Sequence, residues 1–183
     1  MLKIKGSGCR IIIYTESLSY YSFYRLKRLG LDGVVDAIYT PPDHELPQGA
    51  AKLSLRHYDP SFYSLRYAKQ CHTPLGELKP NPDILMQIIR DAGCSADNAL
   101  YIGDSRHKDI AMAKDAGVAS AWAKYGETPD NPAYDLLRSV THWTDEDVER
   151  EREVRAREVV ADVVLTSNFG EILEHFSFGE ATT

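Results

Sequence analysis

An α/β fold built on a mostly parallel sheet is what this sequence predicts, and three observations predict it. Short, largely apolar runs recur along the chain, at 10–14, 99–102 and 118–123, the first of them rich in β-branched residues. Between them lie stretches whose apolar positions repeat at helical spacing, most clearly 82–92. A glycine closes each helical stretch, at Gly30, Gly93 and Gly117. Strands that alternate with helices imply parallel pairing through crossover connections. The chain has 183 residues, a single-domain length that can bury a sizeable core.

The first strand is expected over 10–14, where Ile11, Ile12 and Ile13 precede Tyr14 and Thr15. Ser17 or Ser19 can cap the next helix, which runs to about Leu29, and Gly30 suits its left-handed end. A second strand follows at 37–39. Residues 40–77 break the rhythm with Pro41, Pro42, Pro47, Pro60 and Pro74, and read as an insertion or small cap. His57, Tyr58, Phe62, Tyr63, Tyr67 and His72 make this stretch aromatic-rich. It shapes substrate access, binds a partner or folds as a loop on its own aromatic cluster. In the helix at 82–92, Ile84, Leu85, Ile88, Ile89 and Ala92 share one face. Pro82 fits its first turn and Gly93 its exit. A strand at 99–102, a helix ending at Ala116 and a strand at 118–123 follow. Two helices are expected at 134–140 and 145–159, the second carrying the mixed charge run Glu149 to Glu153 of a solvated face. A last strand at 162–165 and a short helix at 169–176 close the chain.

Composition narrows the function. A net charge of −6 argues against non-specific nucleic-acid binding, yet is compatible with an anionic substrate held at a locally positive site. Cys9, Cys71 and Cys94 are odd in number and widely spaced, which suggests reduced thiols in a cytoplasmic protein rather than a zinc site or disulfide framework. No run of about 18 apolar residues is present, so no membrane span is expected. The first residues are too poor in apolar side chains for a signal peptide. Cys71 and His72 are neighbours on the chain, and as consecutive residues of a strand they could not face each other as a catalytic dyad.

The stretch from Leu100 to Asp109 carries the chemistry. It reads as a buried strand, a glycine turn, two carboxylates and a helix. Open α/β sheets bind ligands outside the carboxyl ends of their strands. Asp104 at such an end is a hard oxygen ligand suited to Mg²⁺. Thr15, ending the first strand, offers a hydroxyl beside the backbone N–H of Glu16, a small anion site at a strand-to-helix turn. Lys79, just before Pro80-Asn81-Pro82, can neutralise a carboxylate and a phosphoryl group. Lys52 is a rival with no helix signature after it.

With the run Tyr101-Ile102-Gly103-Asp104-Ser105 to Asp109, and with Lys79 and Thr15 upstream, the chain resembles the haloacid dehalogenase (HAD) superfamily of phosphohydrolases. The resemblance covers about residues 10–124, and the strand at 162–165 fits the family's closing strand. It implies a three-layer Rossmann-like domain, expected as a single domain over 1–183. It also implies Mg²⁺-dependent hydrolysis of a small phosphorylated metabolite, most like the phosphoglycolate phosphatase branch. In the family pattern Thr15 and Glu16 bind phosphate, and Lys79 holds both the nucleophile and the phosphoryl group. Asp104 ligates the metal, and Asp109 orients Lys79 or the metal's water shell.

One part of the pattern is absent. The family's nucleophile segment, a hydrophobic strand ending in Asp-x-Asp, belongs before Thr15, where only Met1 to Tyr14 stand. The one Asp-x-Asp of the chain, Asp145-Glu146-Asp147, follows Thr144 and reads as a helix cap. The family places the missing strand at the centre of the sheet, between those of Thr15 and Asp104. We therefore expect the chain to be the C-terminal part of a larger HAD protein, inactive alone, whose N-terminal segment supplies the nucleophile. The alternative is an inactive HAD-like binding or scaffold module, its central strand replaced by residues 1–6 or by a partner, a second copy included.

Overall fold

The computed structural model describes residues 1–43, 58–127 and 157–179. The chain divides into two compact units, Met1–Leu78 joined by the segment from Phe178, and Lys79–Ser177. Lys52, Asp145, Asp147, the charge run and the helix expected at 134–140 lie outside the described residues. So does most of the helix expected at 145–159; its final three residues are described and are not helical.

The first unit holds α1 (Leu2–Gly6), β1 (Ile12–Tyr14), α2 (Ser19–Arg28), β2 (Ala37–Thr40), a 3₁₀ turn at Pro60–Tyr63 and β3 (Lys69–His72). Residues 1–6 are helical, so they do not supply a replacement strand. The three strands form a parallel sheet in the order β1-β2-β3, with Ile13 opposite Ile38 and Tyr39 opposite Cys71. Phe23 and Leu26 of α2 bury against Val35, Ile38 and Ala68, with Ile11, Ile13 and Leu65 around them. Each such side chain contributes about 1.5–3 kcal/mol by leaving water.

Neither Ser17 nor Ser19 caps α2. Its N-cap is Leu18, and Ser19 and Ser22 are buried inside the helix. The Ser22 hydroxyl instead donates to the Ser17 carbonyl at 3.0 Å. Gly30 does take the left-handed conformation expected of it, with φ +67°. β3 falls within the stretch read as an insertion. Its sequence, Lys69-Gln70-Cys71-His72, has no apolar alternation, and it is a strand because β2 supplies a ladder for it. Cys9, Cys71 and Cys94 are free thiols.

Aspartates tie this sheet together at the N-terminal ends of its strands. Asp36 accepts from Lys5 Nζ and from the Ile11 backbone N–H, both at 2.8 Å. Asp32 accepts three backbone N–H groups, from Arg66, Tyr67 and Ala68, at 2.8–3.1 Å. Burial pushes the Asp32 carboxyl up, and those three donors outweigh it, so its pKa falls below the ordinary value. Two aromatic residues of the stretch pack onto α2, Tyr63 stacking on Tyr20 at 4.2 Å and Tyr58 on Tyr24 at 5.3 Å, while His57 lies outside the described residues.

The second unit holds α3 (Pro82–Asp91), β4 (Leu100–Gly103), a π-type turn at Arg106–Ile110 leading into α4 (Ala111–Asp115), β5 (Ala119–Ala123), β6 (Val163–Leu165) and α5 (Ile172–His175). Its sheet is also parallel, in the order β4-β5-β6. The Asn81 side chain caps α3 by accepting from the Ile84 N–H at 3.1 Å, with Pro82 in the first turn. Leu85, Ile88 and Ile89 form its buried stripe. Ile110, Ala111, Met112 and Ala113 are wholly buried, as are Ala121, Leu165 and Ile172. Among the described residues, β1 pairs only with β2, and β4 only with β5.

Candidate active site

Gly103 ends β4, and its missing side chain makes the site possible. A Cβ built there would lie 2.3 Å from Asp109 Cβ and 2.5 Å from Asp109 Oδ2. Only glycine lets Asp109 fold back over the strand end. The π-type turn provides the path, because the N–H groups of Asp109 and Ile110 both donate to the Ser105 carbonyl, at 2.8 and 3.2 Å. Ser105 caps the turn by accepting from the Lys108 N–H at 3.2 Å, so the cap is this serine and not Asp104.

Asp109 is buried and well supplied with donors. Lys79 Nζ approaches its Oδ1 at 2.9 Å, with side-chain exposures of 10% for the lysine and 8% for the aspartate. The Tyr101 hydroxyl donates to the same oxygen at 3.1 Å, and the Ser105 N–H to Oδ2 at 3.1 Å. Lys79 Nζ also lies 5.6 Å from the Tyr101 ring centre. A buried cation and carboxylate fixed from three directions form a rigid support, because breaking either partner strands a charge.

Asp104 behaves differently. Its side chain is exposed beyond the end of β4. Partial desolvation pushes its pKa up, and the negative charge of Asp109 pushes it further. Trp122 Nε1–H donates to the Asp104 carbonyl at 3.0 Å and fixes the backbone there. Asp104 also contributes, after burial and Glu171, to raising the Tyr125 pKa. A carboxylate under negative pressure, open to solvent, suits a divalent cation. That donor set fits one ligand of a magnesium ion, which takes its other oxygens from phosphate, water and further carboxylates. Among the described residues no cluster of three or more His, Cys, Asp or Glu could hold a metal by itself.

Thr15 and Glu16 lie in the first unit, just after β1. The Thr15 N–H donates to the Tyr39 carbonyl at 3.0 Å, which extends the ladder by one residue. Thr15 Oγ1 accepts from the Ser17 N–H at 3.1 Å, a local turn that leaves the hydroxyl proton to donate. In the second unit the structure brings Lys79, Asp104 and Asp109 to one strand end. Tyr101, Trp122 and Tyr125 join them there, and sequence reasoning does not single these out. The signal for Tyr101 is its phenol in an otherwise aliphatic strand directly before the glycine. Trp122 and Tyr125 carry none, because their partners are set by the β4–β5 pairing.

Residues 78–164 match the family described as HAD-hydrolase-like. Phosphoglycolate phosphatase 1 of Pseudomonas aeruginosa is 40% identical over 58 residues, spanning 32% of this chain and 21% of that protein. A phosphoglycolate phosphatase of Pseudomonas syringae pv. tomato is 38% identical over 80 residues, or 39% of this chain and 29% of that one. A glyceraldehyde 3-phosphate phosphatase of Pyrococcus abyssi is 36% identical over 52 residues, or 28% and 22%. The chain thus spans less than a third of the length of each of these relatives. A 2-haloacid dehalogenase from Pseudomonas syringae pv. tomato aligns with a TM-score of 0.38 and 18% identity, over 82% of this chain and 50% of that one. No helix among the described residues is long and apolar enough to cross a membrane. The segment that carries Lys79, Asp104 and Asp109 thus matches the HAD-hydrolase-like family over just under half of the chain and is similar to phosphoglycolate phosphatases.

Proposed function

We propose that this chain supplies the phosphate-binding and metal-binding half of a Mg²⁺-dependent phosphatase for a small phosphorylated metabolite. The observation that carries the reading is the buried Lys79–Asp109 pair closed over Gly103, directly behind the exposed Asp104. The pair holds an ammonium group rigidly, in surroundings where its charge is poorly screened by water. In this reading Lys79 neutralises a nucleophilic carboxylate and the departing phosphoryl charge. Asp109 and Tyr101 keep the lysine in place, and the Thr15 hydroxyl and Glu16 N–H donate to phosphate oxygens. Asp104 would hold the magnesium ion, whose contribution is to offset negative charge on the phosphoryl group. The relatives' names, phosphoglycolate and glyceraldehyde 3-phosphate phosphatase, support a small phosphate monoester as substrate. Free cysteines suit a cytoplasmic setting.

In this reading the nucleophile comes from an added hydrophobic strand ending in Asp-x-Asp, since the one Asp-x-Asp of the sequence, Asp145-Glu146-Asp147, follows Thr141-His142-Trp143-Thr144 rather than an apolar run. The strands that the family pattern sets on either side of it, β1 and β4, are each the end of their ladder among the described residues. The test is turnover of para-nitrophenyl phosphate with Mg²⁺. The chain alone should show none above background. Adding a hydrophobic Asp-x-Asp segment, fused or in trans, should restore turnover, and Lys79→Ala should remove it again. Metal-dependent turnover by the chain alone, lost in Asp104→Asn, would overturn the division of labour. Silence with the segment present would favour a binding module.

A further inference from the structure

The peptide unit that joins Asp104 to Ser105 is held at both ends. Its N–H, that of Ser105, donates to Asp109 Oδ2 at 3.1 Å. Its carbonyl, that of Asp104, accepts from Trp122 Nε1–H at 3.0 Å. The first hold belongs to the buried Lys79–Asp109 pair. The second comes from the neighbouring strand, where Trp122 stands opposite Gly103 and its indole reaches one residue further, to the turn. A peptide unit is planar, so fixing both of its polar groups limits the directions in which the Asp104 carboxylate can leave the main chain.

The indole is itself gripped. The Arg106 guanidinium carbon lies 4.8 Å from the centre of its ring, and Lys124 Nζ lies 5.6 Å from the same centre. Each such contact is weak by itself. Together they tie the ring to the turn after β4 and to the turn after β5. A nearby cation also draws electron density from the indole, which makes its N–H a stronger donor. The turn after β5 packs on Asp104 as well, since a Cβ at Gly126 would sit 3.3 Å from Asp104 Cβ. The indole takes the main-chain oxygen of Asp104 and leaves the carboxylate oxygens to a cation.

We propose that Trp122 is a positioning residue for Asp104: its N–H holds the carboxylate ready for a divalent cation, so that binding does not bear the cost of ordering it. The proposal rests on the phosphatase reading and adds to it a residue that acts only through Asp104. Asp109 supplies the other hold on the same peptide unit, but its removal would also strand Lys79. Trp122 is neutral, so the contribution of its N–H can be isolated.

The test is Mn²⁺ binding by the whole chain, read from the loss of the free-ion electron paramagnetic resonance signal. Mn²⁺ takes the same carboxylate and water oxygens as Mg²⁺. Trp122→Phe keeps an aromatic ring for Arg106 and Lys124 but removes the N–H. It should bind Mn²⁺ about fivefold more weakly, the worth of one neutral hydrogen bond. Trp122→benzothienylalanine keeps both rings, puts sulfur in place of the N–H, and should weaken binding as much. Asp104→Asn should weaken it more than either. Adding Trp122→Phe to Asp104→Asn should cost nothing further, because Trp122 acts through that carboxylate. A purely structural role would lower the urea midpoint and leave the affinity of the folded chain where it was. Unchanged affinity in the benzothienylalanine variant, or a further loss in the double variant, overturns the positioning role and leaves the phosphatase reading standing. If Mn²⁺ does not bind the chain, or binds Asp104→Asn equally well, the metal assignment falls and this one with it.

Discussion

Asp162 and Asp104 belong to the same parallel sheet, and their carboxyls respond to it in opposite directions. Asp162 stands just before β6. It pairs with Lys114 and accepts from both the N–H and the hydroxyl of Ser120, at 2.9 and 2.8 Å. The lysine, aided by those donors, brings its pKa down to about 2. Asp104 stands just after β4, where burial and its neighbour Asp109 drive its pKa up. Asp36 in the first unit follows the Asp162 pattern, with a lysine from the preceding helix and an N–H from the adjacent strand. The N-terminal strand ends beside Asp36 and Asp162 are closed by satisfied carboxylates. The C-terminal end of β4 keeps one under-compensated. In the function proposed above, that carboxylate is the one that would receive a cation.

The largest expected effect comes from removing the support behind Asp104. Lys79→Met leaves Asp109 buried without its cation and should cost about 3 kcal/mol in urea unfolding. Adding Asp109→Asn to it should recover part of that loss, because the stranded charge is removed. Additive losses in the double variant would mean that the two residues are not coupled.

Gly103→Ala comes next. The new methyl group collides with the Asp109 side chain at 2.3–2.5 Å, so either the turn or the aspartate must shift. We expect a loss of about 2 kcal/mol in thermal unfolding and a matching disturbance of the Lys79–Asp109 contact. An unchanged melting temperature would show that the turn yields freely.

The smallest effects bear on the two carboxylates directly, because they differ in sign. Asp162→Asn should destabilise at neutral pH by about 1 kcal/mol, a figure reduced for the exposure of both charged partners. The lowered Asp162 pKa means that its contribution is complete above the unfolded-state value of 3.8. It is lost as pH falls from there through about 2, and the variant should lack that part of the acid limb. Asp104→Asn should instead stabilise, by about 0.5 kcal/mol or less after screening, since it relieves repulsion from Asp109. Chemical unfolding at pH 7 measures both, and a common sign would erase the distinction between the two strand ends.

Sequence periodicity suffices for α3, whose apolar stripe, first-turn proline and flanking glycine all agree, and for β4 and β5, whose apolar runs are bounded by turns. It fails at β3, where Lys69-Gln70-Cys71-His72 becomes a strand through partners that only the fold provides. At the site, it is the resemblance to the HAD motifs that singles out Lys79, Asp104 and Asp109; spacing alone leaves Lys79 a surface lysine and Asp104 a helix cap. The reason for Gly103 is less visible. A glycine after a strand suggests a turn, whereas this one admits a carboxylate arriving from six residues further along. Trp122 and Tyr125 are illegible because their roles depend on side-by-side pairing of β4 with β5, which no window of sequence contains.

The Lys79–Asp109 pair also has a kinetic consequence. It joins positions 30 residues apart, one at the start of α3 and the other past β4. Neither end gains from the other until the intervening loop has closed and its entropy has been spent. The pair is also worth little until water has left its surroundings, which requires the packed unit around it. It therefore belongs to the last contacts made in folding and the first lost in unfolding. Substitutions there should speed the escape from the native state while leaving the rate of reaching it almost untouched. The pair closed over Gly103 thus acts as a latch on the lifetime of the folded unit.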